Sequence, residues 1–126
     1  MDSTAATSGG RLGPGVALTA IAMAHERDVE SQRPDRLFCA PWAGEMVAAG
    51  RVAVGESASW VGEMTLADIA PGMAGYVAAR TRWIDDRILA YLRHSSAAQL
   101  VLLGAGLDTR AARLPLPRDL TTYQLD

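Results

Sequence analysis

The stretch Leu100-Val-Leu-Leu-Gly-Ala-Gly-Leu-Asp-Thr-Arg110, followed by Tyr123-Gln-Leu-Asp126, decides how this chain is read. Leu100 to Leu103 is a continuous apolar run, the pattern of a parallel strand buried on both faces. Gly104 and Gly106 permit backbone angles closed to other residues and remove side chains, so a ligand can approach the main chain of Gly104, Ala105 and Gly106 closely. The N–H groups of such a turn and of the helix after it point at whatever sits above them. In doubly wound folds this place, outside the carboxyl end of a strand, is where ligands bind. Asp126, ending the next strand, is placed to accept hydrogen bonds from ribose hydroxyls. The pattern predicts the front half of a nucleotide-cofactor site.

The glycines alone do not choose the cofactor. Gly104-Ala-Gly106-Leu-Asp-Thr109 puts threonine where the dinucleotide fingerprint has its third glycine. An ordinary strand-to-helix turn shares the pattern, and the acidic strand end shifts the reading toward a cofactor site. An NAD(P)-binding oxidoreductase would share both glycines and the carboxylate. Against it stand the absent third glycine and the long helical region upstream.

Gly-Ala-Gly-Leu-Asp-Thr-Arg110, followed by Ala-Ala-Arg-Leu-Pro115 and an acidic strand end, resembles class I S-adenosylmethionine-dependent methyltransferases. More narrowly, it resembles the branch of leucine carboxyl methyltransferase and the tetracenomycin-type polyketide O-methyltransferases. The resemblance extends upstream through Thr19-Ala-Ile-Ala-Met-Ala24, Glu30-Ser-Gln-Arg-Pro-Asp-Arg-Leu-Phe38, Pro41-Trp-Ala43 and Tyr76-Val-Ala-Ala-Arg-Thr-Arg-Trp-Ile-Asp-Asp86. It covers residues 17 to 126. The resemblance implies that Arg80 meets the carboxylate of the methionine moiety. It also implies that Gly104, Ala105 and Gly106 line the methionine and ribose end, and that Asp126 holds the ribose hydroxyls. Arg27, where the match is looser, would be a second basic contact. One departure stands out: the branch has Asp-Pro where this chain has Ala40-Pro41, so whatever that aspartate does is missing.

Arg80 can also be argued from periodicity. In a helix over residues 77 to 92, Arg80, Ile84, Ile88 and Tyr91 share one face at i, i+4, i+8 and i+11. An arginine on an apolar stripe is costly to bury unless it finds an anion. The bland alternative is that it snorkels to solvent or pairs with a protein carboxylate. Arg82, Asp85 and Asp86 fall on other faces and read as a solvated, self-paired surface.

Composition bounds the rest. A chain of 126 residues suits one small domain with a modest core. The net charge of -2 gives no electrostatic reason to expect nucleic acid or an anionic membrane as partner. The single cysteine, Cys39, excludes an internal disulfide, fits a reducing compartment and reads as a small packing residue. His25 and His94 show no metal-ligand spacing and read as surface or capping residues; no metal is expected. No targeting or membrane-spanning segment stands out, so the default location is cytoplasmic.

The expected fold class is α/β: an N-terminal helical region, then the first two strands of a Rossmann-like methyltransferase sheet. Residues 1 to 16, rich in Ser, Thr, Ala and Gly, read as a disordered tail. Residues 17 to 95 read as a helical cap and 96 to 126 as the start of the cofactor-binding domain. The cap opens with a helix over 17 to 31 whose stripe is Leu18, Ile21, Ala22, His25 and Val29, ended by Pro34. A second helix starts near Pro41, residues 50 to 55 read as a turn, and 56 to 69 as short helical pieces. After the Pro71-Gly72 break come a long helix from 75 to 93, a strand from 100 to 104, a helix from 109 to 114 and a strand from 121 to 126.

A class I methyltransferase completes its site with later strands, which supply the adenine and acceptor pockets. The chain therefore reads as a truncated, inactive fragment of an O-methyltransferase acting on a carboxylate or hydroxyl of a small molecule. No catalytic residue is assigned. The open edge of strand 100 to 104 leaves N–H and C=O groups unpaired, so self-association through it is expected. A non-enzymatic remnant acting as an interaction module is the third reading.

Overall fold

A computed structural model describes residues 14–59 and 63–126. The tail expected at residues 1 to 16 lies outside the described residues up to 13; residues 14 to 16 already belong to the first helix. Among the described residues five α-helices and two strands follow in order: α1 (Pro14–Gln32), α2 (Ala43–Val54), α3 (Leu66–Ile69), α4 (Tyr76–Arg93), β1 (Gln99–Leu103), α5 (Arg110–Arg113) and β2 (Thr121–Leu125). Short 3-10 turns at Gly55–Ala58 and Pro71–Met73 connect the helical part. The strands pair in parallel with Gln99 opposite Thr121 and Leu103 opposite Leu125. This βαβ unit is an incomplete Rossmann-like α/β arrangement, as the sequence predicts.

The periodicity of α1 is helical, but its buried face is rotated from the expected stripe. Ile21, Ala24, Arg27 and Glu30 are buried, while Val29 is exposed and Leu18, Ala22 and His25 are half-buried. The reason is polar. Glu30 Oε1 accepts the Leu37 N–H at 2.6 Å, and Ser31 Oγ accepts the Ala40 N–H at 2.8 Å. Glu26 accepts the Leu66 N–H. Each carboxylate or hydroxyl satisfies a loop donor that would otherwise be orphaned. The face that carries these residues has to turn inward.

Residues 50 to 54 are helical, against the turn expected there, because Gly50 is a packing glycine and not a break. A Cβ at Gly50 would lie 2.7 Å from Ile21 Cγ1 and 2.9 Å from Ile21 Cδ1. The missing side chain lets α2 approach α1 closely. Around this contact lies the apolar core: Ile21, Ala24, Val47 and Ala58, with Leu18, Ala22, Val54 and Leu107 packed against it. Leu107 is the one member from the strand half of the molecule.

Two further expectations fail for lack of cover. Strand β1 is not buried on both faces; its burial alternates, with Val101 at 47% and Leu103 at 78% exposure. Both side chains border an open cleft. Cys39 is exposed and so is not the packing residue its type predicts. His94, by contrast, occupies the C-cap position of α4, donating its N–H to Tyr91 O. No helix of the described residues is long and apolar enough to cross a membrane.

Candidate functional site

The parallel register of β1 and β2 builds the site. Leu103 lies opposite Leu125, so the residues after both strands emerge side by side. Gly104 and Gly106 have φ of 59° and 50°, the left-handed region that favours glycine. Ala105 donates its N–H to Leu125 O at 3.1 Å, and Gly106 donates its N–H to Asp126 Oδ1 at 2.6 Å. The turn is thereby closed onto the end of β2. A Cβ on Gly104 would meet nothing within 4 Å, so the space above that glycine is open.

That space belongs to a cleft of about 900 Å³ between α1, α4 and the strand ends. Gly104, Ala105, Gly106, Asp126, Arg80 and Arg27 all line it. Five of these are the residues singled out from the sequence, and Arg27 is the sixth position that the resemblance raised. Ile84 and Ile88 line the cleft beside Arg80, as the helical spacing predicts; Tyr91, the last of that stripe, does not. Arg80 is exposed rather than buried, so the desolvation argument does not apply to it. It has no carboxylate partner among the described residues. Ala40, where the resemblance leads one to expect aspartate, is buried against α1 and lies off the cleft.

Arg27 does more than the sequence indicates. It is buried and donates from Nη2 to Leu107 O at 3.1 Å, gripping the glycine turn from α1. Burial pushes its pKa below the ordinary arginine value; Asp108 opposes this, and Arg110, Arg113 and Arg80 add to the lowering. Arginine keeps its proton regardless. The shift therefore records chiefly the burial of Arg27, with the neighbouring guanidinium groups adding to it.

Asp85 corrects the reading of α4. Expected on a solvated face, it is 4% exposed and takes Arg110 Nε at 2.7 Å and Arg113 Nη2 at 2.7 Å, one on each oxygen. Arg110 Nη1 also reaches Asp108, whose other oxygen accepts the Arg110 backbone N–H at 2.8 Å. Arg113 stacks over the Phe38 ring, 5.2 Å from its centre. Only Arg82 and Asp86 form the expected surface pair, at 2.9 Å. The sequence signal for the buried network is thin. It consists of Asp85 lying at i+4 from the small Thr81, on the helix face that also carries Ala78 and turns inward. The partners, 25 residues away and more, leave no periodic trace.

Among the described residues no group of three His, Cys, Asp or Glu side chains converges in a way that could hold a metal. The chemistry offered is instead an open glycine turn, an exposed carboxylate and an unpaired guanidinium around one cleft.

Residues 20–126 match the family described as leucine carboxyl methyltransferase. A protein of Parafrankia sp. strain EAN1pec, provisionally named an S-adenosyl-L-methionine-dependent methyltransferase, is 43% identical over 112 residues, covering 89% of this chain and 36% of its own length. One from Streptomyces coelicolor, with the same kind of name, is 38% identical over 121 residues, covering 89% of this chain and 38% of its own length. One from Mycobacteroides abscessus is 35% identical over 120 residues, with 88% and 38% covered. The chain thus spans well under half the length of the curated relatives it matches. With the family match running from α1 to the end of β2, the chain belongs to the leucine carboxyl methyltransferase family.

Proposed function

We propose that these residues form the methionine- and ribose-binding part of an S-adenosylmethionine-dependent O-methyltransferase. The observation that carries this reading is the convergence of the Gly104–Gly106 turn, the exposed Asp126 and the unpaired Arg80 on one cleft. The residues present fit the cofactor. Gly104 leaves open space where a side chain would project. One oxygen of Asp126 holds the turn, and the other is without a partner among the described residues, ready for a ribose hydroxyl. Arg80, with Arg27 behind it, supplies positive charge for a carboxylate. The relatives' names support the same cofactor.

Bound there, S-adenosylmethionine supplies an electrophilic methyl group. Residues 17 to 95 act as a cap beside residues 96 to 126, and Arg80 from the first part and the Gly104–Gly106 turn from the second would hold the methionine moiety. The acceptor is the carboxylate or hydroxyl oxygen of a small molecule, and catalysis comes chiefly from holding that oxygen in line with the methyl. A carboxylate acceptor needs no base; a phenolic hydroxyl needs one. None of the cleft residues takes the role of base in this reading.

The test is a thermal-shift and calorimetric screen of the chain against S-adenosylhomocysteine and NAD. Stabilisation by S-adenosylhomocysteine alone is expected. Stabilisation by NAD alone would move the chain to the oxidoreductase class.

A further inference from the structure

We propose that Arg110 is a positioning residue: by bridging Asp85 of α4 and Asp108 of the glycine turn, it sets Arg80 at its working distance from that turn. The inference rests on the cleft being the S-adenosylmethionine site.

Arg80 and Asp85 sit five residues apart on one helix and on different faces, the first in the cleft and the second buried. A helix of this length is stiff, so whatever holds Asp85 also holds Arg80. Apolar packing contributes at the start of α4, where Val77 and Ala78 are buried, but it does not reach the turn. The cluster around Ile21 includes Leu107 of the turn but no residue of α4. The link from α4 to the turn is polar: Asp85 to Arg110 at 2.7 Å, then Arg110 to Asp108.

The side chains of Asp85 and Arg110 are 5% and 6% exposed, so neither has water as an alternative partner. The turn is gripped at the same end by two further groups. Arg27 holds Leu107 O from α1, and Gln124 Nε2 donates to Asp108 O at 2.9 Å from β2. Three elements thus converge on Leu107 and Asp108, and Arg110 carries the tie from Asp108 to α4, while Arg113 holds the other oxygen of Asp85 without reaching the turn. Buried ion pairs add little net stability compared with apolar packing. Their directional geometry suits them to fixing one position of a helix against a turn.

Arg110→Lys keeps the charge, but one ammonium cannot hold Asp85 and Asp108 in the fork geometry. The chain and its Arg80→Ala, Arg110→Lys and double variants are titrated with S-adenosylhomocysteine and with methylthioadenosine, which lacks the amino-acid carboxylate. Arg110→Lys is expected to weaken S-adenosylhomocysteine about tenfold, to leave methylthioadenosine within about twofold, and to cost little more once Arg80 is gone. Equal losses for both ligands, or penalties that multiply in the double variant, would overturn the positioning role. Failure of the wild-type chain to bind S-adenosylhomocysteine would instead overturn the cofactor reading itself. Asp85→Asn, which keeps the shape, should repeat the ligand pattern of Arg110→Lys. Loss of cooperative folding in both variants assigns the network to stability alone and rejects the proposal.

Discussion

The backbone N–H of Gly106 donates to Asp126 Oδ1 at 2.6 Å, so one carboxylate both closes the glycine turn and faces the cleft. Substitution of Asp126 by alanine should weaken S-adenosylmethionine and S-adenosylhomocysteine together, since both carry the same ribose. The loss should be about 1.5–3 kcal/mol, roughly ten- to more than a hundredfold in affinity. Calorimetry with both ligands checks this, and unchanged affinity for either would remove Asp126 from the site.

Arg80 separates from Asp126 by ligand. Arg80→Ala should weaken S-adenosylhomocysteine by about tenfold or more, because a charge-assisted bond to a carboxylate is lost. An analogue without the amino-acid carboxylate should bind wild type and variant alike. If that analogue loses as much affinity as S-adenosylhomocysteine does, Arg80 serves the fold and not the ligand.

Two adjacent aspartates on α4 should behave in opposite ways. Asp85→Ala leaves the buried Arg113 without a carboxylate and Arg110 with Asp108 alone, and should destabilise the chain by about 3–5 kcal/mol. Asp86→Ala removes only a half-exposed pair with Arg82 and should cost about 0.5 kcal/mol or less. Urea unfolding of the two variants side by side decides the matter.

Gly50→Ala should destabilise despite alanine's better helix propensity. Propensity favours the change by about 1 kcal/mol. The new methyl would overlap Ile21, which is 3% exposed and has little room to move, and overpacking costs about 1–3 kcal/mol. A lower Tm for Gly50→Ala is expected, and an unchanged or higher Tm would show that Ile21 gives way to the added methyl.

The short helix α3 should be sensitive to acid. Asp68 Oδ2 accepts the Thr65 N–H and the Thr65 hydroxyl, both at 2.7 Å. These bonds, the backbone one first, hold the Asp68 carboxyl below its ordinary pKa. A depressed folded-state pKa means that the stabilising effect is present above the ordinary aspartate range and is lost as pH falls through the folded value. The Thr65 amide signal should therefore titrate with a midpoint below that of an unstructured aspartate. In Asp68→Asn that titration should vanish.

Local chemistry was enough to place the elements that bear on the site. The apolar run before Gly104, the two glycines at positive φ and the acid ending the next strand follow from backbone sterics and short-range pattern, so β1, the turn and β2 are legible. The same holds for α4, whose periodicity put Arg80, Ile84 and Ile88 on one face. Position on that face was legible; exposure was not, since it depends on what lies opposite.

The residues that only the tertiary structure decided share one physical property: their partners are distant in sequence. Gly50 reads as a helix breaker until Ile21 of another helix is found against it. Asp85 reads as a surface acid until Arg110 and Arg113 arrive from beyond β1. Arg27 reads, from the resemblance, as a second basic contact to the ligand carboxylate, and its hold on Leu107 O is visible only in the fold. Backbone preference and hydrophobic period act over a few residues and leave their mark in the string. Charge pairing, close helix approach and burial act across space, and the folded chain alone sets those distances.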